Sequence, residues 1–163
     1  MPKTAKYILL LAAVLLASAV CTVLMFRPRA VNIVYMADAR YLPYMMVSLE
    51  SAIAGKNKGT QYHVHIIAKG FAPEDAAKIR KMAQDDVTIE LHSAREPKLD
   101  YARLGRFSSF KISLQKLFIA DYLPSLGKVL YLDADTLVQA DLSEVYETDL
   151  SGKYAAAVKD GLM

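Results

Sequence analysis

Tryptophan is absent, cysteine occurs once (Cys21), and there are only seven glycines and six prolines in 163 residues. A lone thiol excludes an intrachain disulfide framework, so the fold must rest on an apolar core. Because Cys21 lies in an apolar leader, it does not reveal the redox compartment of the folded part. The low glycine and proline content excludes collagen-like and linker-like architectures, and no internal repeat or low-complexity segment occurs. There is also no excess of one charge: 20 Lys and Arg face 17 Asp and Glu, for a formal net charge of +3. That balance, without a zinc-finger or RNA-recognition signature, argues against a dedicated nucleic-acid binder. No Gly-x-x-x-x-Gly-Lys-Ser/Thr pattern occurs, which disfavours P-loop phosphoryl transfer.

What is present is an ordinary folded composition, 54% apolar and 23% charged, enough for one domain with a real core. Ahead of that domain, Tyr7 to Phe26 is a run of 20 residues without charge, preceded by Lys3 and Lys6 and followed by Arg27 and Arg29. As a helix it spans roughly 30 Å, the hydrocarbon thickness of a bilayer. Residues 1–29 therefore read as a single-pass membrane anchor. A cleaved signal peptide competes through Ala17-Ser18-Ala19, although the apolar run continues past that site. A lipoprotein reading through Cys21 is weaker, because Val20 is bulkier than the small residue expected before a lipidated cysteine. Basic residues flank both ends, so the positive-inside rule assigns neither end to the cytoplasm.

From Val31 onward the pattern alternates. Val31 to Ala37 reads as a buried strand closed by Asp38, and Tyr41 to Ala54 carries apolar residues at helical spacing, with Gly55 as its stop. Tyr62 to Ala68 is a second strand, Pro73 opens a helix running to about Gln84, and Val87 to His92 is a third strand. Strand, helix, strand, helix, strand implies a parallel sheet with right-handed crossovers. Ser93 to Ser109 reads as a long loop with basic residues, and Phe110 to Tyr122 as an amphipathic helix. Asp141 to Tyr146 looks like a short capped helix, and Lys153 to Lys159 a last strand.

The chemistry concentrates in Lys128-Val129-Leu130-Tyr131-Leu132-Asp133-Ala134-Asp135-Thr136. An apolar strand ends there in two carboxylates one residue apart, and ligands of open α/β sheets bind outside the carboxyl ends of strands. Asp133 and Asp135 could share one hard cation such as Mn²⁺ or Mg²⁺, with phosphate oxygens completing the shell. The bland reading of the same residues is a turn in which each Asp bonds its own backbone. His63, His65 and His92 are the only histidines; His63 and His65 share one side of a strand. No ligand-rich partner pattern joins them, which assigns them structural or surface roles.

The run around Asp133 and Asp135 resembles the Asp-x-Asp segment of glycosyltransferase family 8, which includes glycogenin and the bacterial lipopolysaccharide galactosyltransferases and glucosyltransferases. The likeness covers about Val31 to Asp160. It implies an α/β, GT-A-type Rossmann-like domain over residues 30–163, equivalent to the truncated, N-terminal donor-binding portion of such enzymes. It further implies a metal-dependent, retaining transfer of a hexose from a UDP-sugar to a saccharide or glycolipid acceptor. Asp133 and Asp135 would be metal ligands, with a histidine from outside this chain completing the shell.

Ala37-Asp38-Ala39-Arg40-Tyr41 resembles the family's first-strand motif, in which Asp38 would bond the uracil and Tyr41 would stack on it. Arg40 stands where asparagine is common. Lys116, in Leu114-Gln115-Lys116-Leu117, takes the place of an arginine facing the donor sugar or phosphates, keeping the charge but losing the bidentate fork. Asp160, after Ala155-Ala156-Ala157, resembles an acidic residue near the sugar. A reading from another class remains beside this one: an inactive nucleotide-binding or membrane-tethered interaction module.

Overall fold

β-Branched and aromatic residues set the first strand, β1 (Arg29–Asp38), whose residues from Val31 to Ala37 are almost all buried. The computed structural model describes residues 12–18, 29–95, 103 and 114–158. Helix α1 (Leu42–Ala54) leads to β2 (Thr60–Lys69), and α2 (Pro73–Arg80) leads to β3 (Val87–Ser93). A 3₁₀ stretch (Gln115–Phe118) runs into the short α3 (Ile119–Tyr122), followed by β4 (Leu130–Leu132) and α4 (Ser143–Tyr146). Every strand pair is parallel and the order is β3-β2-β1-β4. The α/β class and parallel sheet expected from the alternation are thus observed.

Alternation along β1 builds two half-cores. Val31, Ile33, Tyr35 and Ala37 face α1 and α2, packing with Leu42, Met45, Leu49 and Ala52 of α1 and with Ile79 of α2. Val34 and Met36 face the other way, onto Leu123 and the partly buried Ile119, Tyr122 and Tyr131. The three-, four- and three-residue spacing of Leu42, Met45, Leu49 and Ala52 in α1 is what turns one helical stripe to the sheet. Gly55 ends α1 with φ −82°, a conformation open to any residue; its constraint is space. A Cβ there would lie 3.3 Å from the Ser51 carbonyl oxygen and 3.5 Å from the backbone of Ala140.

Three elements differ from expectation. The helix from Pro73 ends at Arg80, and the chain then turns so that Gln84 bridges Val87. The described part of the Phe110–Tyr122 helix is 3₁₀ before it becomes α. Residues 153–158 form no strand: they pair with no strand among the described residues and Tyr154 and Val158 are fully exposed, so alternation there has no ladder to join. Of the apolar leader, 12–18 are helical and the remainder lies outside the described residues. Among the described residues no helix is long and apolar enough to cross a membrane.

Asp141 ties the base of the domain together. Its carboxylate accepts hydrogen bonds from the Asn57 amide at 2.8 Å, the Ser143 amide at 2.9 Å and the Ser143 hydroxyl, while the Leu142 amide donates to the Tyr62 hydroxyl at 3.0 Å. Burial alone would raise the Asp141 pKa, but the bonds from Ser143 and Asn57 outweigh it and hold the group at about 2. A folded-state pKa below the ordinary value of 3.8 means that this contribution is complete above that value and is lost as the pH falls from about 4 toward 2. Asp141→Asn is expected to flatten the acid limb of a stability profile measured by urea unfolding between pH 2 and 5. In the same assay at pH 7, Ile66→Ala should cost about 2–5 kcal/mol, because Ile66 is fully buried. Val145→Ala, at an exposed site, should stay within about 0.5 kcal/mol.

Candidate active site

The crossovers from β1 lead outward to β2 and β3, whereas β4 enters on the opposite side of β1. The order therefore reverses between β1 and β4, and such a switch point opens a crevice at the carboxyl ends of the two strands. Leu132, the last residue of β4, is level with Tyr35, so Asp133 emerges at the end where β1 continues to Asp38. Topology thus puts two of the sequence-predicted positions at one edge of the sheet.

Asp133 to Thr136 is a turn. The Thr136 amide donates to the Asp133 carbonyl at 3.2 Å, and the Thr136 hydroxyl donates to the same oxygen at 2.8 Å. Ala134 is buried in the α1-side core, while Asp133 and Asp135 on either side of it are exposed. Behind the turn runs a line of hydroxyls: Tyr35 lies 3.1 Å from Ser48, and Ser48 lies 3.1 Å from Thr136. One turn along α1, the Ser51 hydroxyl accepts from the Val138 amide at 2.9 Å. Burial pushes the Tyr35 phenol up to about 12, so it remains a neutral hydrogen-bonding group. Strand β1 and helix α1 therefore both hold the turn that presents the two carboxylates.

Lys116 comes to the same place. Its Nζ lies 3.9 Å from Asp133 Oδ1 and 5.2 Å from the centre of the Tyr131 ring. The Tyr131 hydroxyl donates to Asp133 Oδ1 at 2.8 Å. Burial first, and then the neighbouring Asp133, raise the Tyr131 pKa, so this phenol also stays protonated. One oxygen of Asp133 is thereby oriented from within the chain. Two exposed carboxylates in one turn form an oxygen-donor set suited to a hard divalent cation. Among the described residues no third His, Cys, Asp or Glu groups with them.

Asp38 is more occupied than its motif implies. Its Oδ1 accepts from the amides of Arg40 at 3.0 Å and Tyr41 at 3.3 Å, and its Oδ2 accepts from Arg40 Nη2 at 2.8 Å and Nε at 3.2 Å. The Arg40 side-chain hydrogen bonds are the main reason its carboxyl lies below the ordinary range. Tyr41 is half exposed, its ring 5.9 Å from that of Tyr44, which is also exposed. Asp160 lies outside the described residues.

A doubly wound α/β sheet with acidic groups at its switch point defines the class. The chain belongs to glycosyltransferase family 8, whose model, "Glycosyl transferase family 8", matches residues 32–163. It is 31% identical over 137 residues to the lipopolysaccharide 1,2-glucosyltransferase of Escherichia coli K12, covering 79% of this chain and 38% of that protein. It is 30% identical over 133 residues to the glycosyltransferase GlyD of Streptococcus pneumoniae, covering 79% of this chain and 16% of that protein. The chain thus spans well under half the length of these relatives. Among solved structures, the galactosyltransferase LgtC in complex with donor and acceptor sugar analogues superposes with a TM-score of 0.57 at 24% identity, over 73% of this chain and 43% of LgtC. The bifunctional glycosyltransferase WbbM gives 0.60 at 20% identity, over 74% of this chain and 21% of WbbM. The fold is that of GT-A glycosyltransferases.

In the sequence Tyr131 reads as strand filling, and nothing there marks Ser48, Ser51 or Thr136. Tyr131 and Asp133 are two apart on a strand, which places them on one face, and that spacing was the available signal. The hydroxyl line has no such signature, because Ser48 and Thr136 are 88 residues apart. Ser48→Ala should leave the fully buried Tyr35 hydroxyl without this partner and cost about 1–3 kcal/mol in urea unfolding. Arg40→Ala should move the Asp38 carboxyl pKa upward in a carbon-detected NMR titration, since the largest contribution to its depression is removed.

Proposed function

We propose that this chain is the donor-binding portion of a metal-dependent, retaining hexosyltransferase that uses a UDP-sugar and a saccharide or glycolipid acceptor such as lipopolysaccharide. The observation that carries the reading is the Asp133-Ala134-Asp135 turn at the switch point, with Ala134 turned into the core and both carboxylates turned out. Membership of the family and likeness to a lipopolysaccharide glucosyltransferase support the reaction class.

In this reading Asp133 and Asp135 hold Mn²⁺ or Mg²⁺ against the diphosphate. A cation bound there supplies the positive charge that stabilises a departing UDP. Lys116, held at the Tyr131 ring beside Asp133, adds a second positive group facing the phosphates or the sugar. Tyr41 offers its exposed ring to the uracil, and Asp38 offers an acceptor to the uracil N–H. For that last contact the Arg40 guanidinium must leave Asp38 Oδ2, a movement its 82% side-chain exposure permits. Asp160 follows as a residue near the sugar, on the family likeness alone. Residues 7–26 anchor the protein in a bilayer, a role supported by their 20 uncharged residues and basic flanks.

Calorimetric titration of the full chain in detergent micelles tests the donor site. UDP should bind only with Mn²⁺ or Mg²⁺ present, and Asp133→Asn with Asp135→Asn should remove the metal-dependent component. Tyr41→Ala should weaken UDP binding by about 1–3 kcal/mol, the usual worth of a base on an aromatic ring. Equal UDP binding with and without metal would sink the reading. The rival, an inactive nucleotide-binding or interaction module, draws on the Arg40 pairing that fills Asp38. Metal-dependent UDP binding with neither sugar hydrolysis nor transfer would favour it.

A further inference from the structure

At the sheet edge remote from β4, β2 and β3 bring together three side chains that the donor site does not use. Parallel register sets His65 opposite Glu90, and His92 follows Glu90 by two residues, so all three project from one face. That face carries Ile67 and the second half-core, opposite α1 and α2. Three ligand atoms converge there. His65 Nδ1 lies 3.3 Å from His92 Nε2 and 3.6 Å from Glu90 Oε2, and His92 Nε2 lies 3.8 Å from the same carboxylate oxygen.

The spacing is informative. A point equidistant from three atoms so separated lies about 2.1 Å from each, within the range of Zn–N and Zn–O bonds. His65 is 7% exposed, and its Nε2 is buried without a hydrogen-bond partner among the described residues. In the neutral tautomer that carries its proton on Nε2, the ring presents a lone pair at Nδ1, the atom facing Glu90 and His92.

We propose that His65, Glu90 and His92 form a second cation site, of the zinc class, that ties edge strand β3 to β2. Two imidazoles and one carboxylate suit a borderline ion, whereas Asp133 and Asp135 offer only the hard oxygens suited to Mg²⁺ or Mn²⁺. Three protein ligands leave a fourth position for water or another group. The site lies on one face of the sheet across β2 and β3, two strands away from the switch point.

The test uses the full chain in detergent micelles, stripped with chelator and then equilibrated with Zn²⁺ alone. About one equivalent of zinc should remain after gel filtration, and the double variant Asp133→Asn, Asp135→Asn should retain it. Zinc should raise Tm where Mg²⁺ does not, because an ion bound only by the folded state stabilises it. Glu90→Gln and His92→Gln, at positions that tolerate change better than buried His65, should each weaken zinc binding at least about tenfold. His63→Gln, whose ring instead bonds Thr88, should leave it unchanged. No retained zinc, or zinc retained equally by Glu90→Gln and His92→Gln, overturns the proposal.

Discussion

Strand β1 is the constraint on which the rest depends. It is paired on both sides, with β2 over ten residues and with β4 over three, and it is buried on both faces. A strand in that position is apolar almost throughout, which is why Ile33 to Ala37 is an unbroken apolar run and why the next polar residue, Asp38, falls where the sheet ends; Asn32, nearer the start, is tolerated because its side chain bonds the Tyr146 hydroxyl. The same double pairing creates the reversal of strand order, and with it the crevice. Acidic groups at the ends of β1 and β4 are therefore neighbours in topology although almost a hundred residues separate them in sequence.

Placement of the two aspartates then depends on a polar device inside an apolar frame. Tyr35, Ser48 and Thr136 form a short hydroxyl line from the sheet through α1 to the turn, and Ser51 adds a separate anchor at Val138. Buried hydroxyls are costly unless each finds a partner, so a connected line has one low-energy arrangement where loose packing would have several. Rigid presentation of carboxylates is useful to a cation site, since the ligands need not be ordered when the ion arrives.

Much of this was legible in the sequence, for stated physical reasons. The strands and α1 follow from period and punctuation, and the parallel sheet follows from their alternation. Asp133 and Asp135 stood out because an apolar run ends there in two carboxylates one residue apart. What remained hidden depends on pairing. The partners of His65 come from β3, and only the register of β2 against β3 brings Glu90 and His92 to it. Arg40 was visible as a departure from the family motif, but its closure onto Asp38 is a matter of side-chain geometry. The expected strand at Lys153 to Lys159 is not formed over its described residues, 153–158, because alternation is necessary for a half-buried strand and not sufficient: among the described residues no partner edge meets it.

The residue between the two aspartates has a meaning that the motif's usual shorthand, with its indifferent middle letter, conceals. Ala134 sits in the same core as Ile33 and Leu49, whereas Leu137, three positions on, is largely exposed. Position 134 is thus a size filter read from the interior, and position 137 is open to drift. In this chain the residue between the carboxylates can grow only as far as the facing core makes room for it. Alanine, glycine or serine there would report on the volume behind the turn, not on the identity of the ion in front of it.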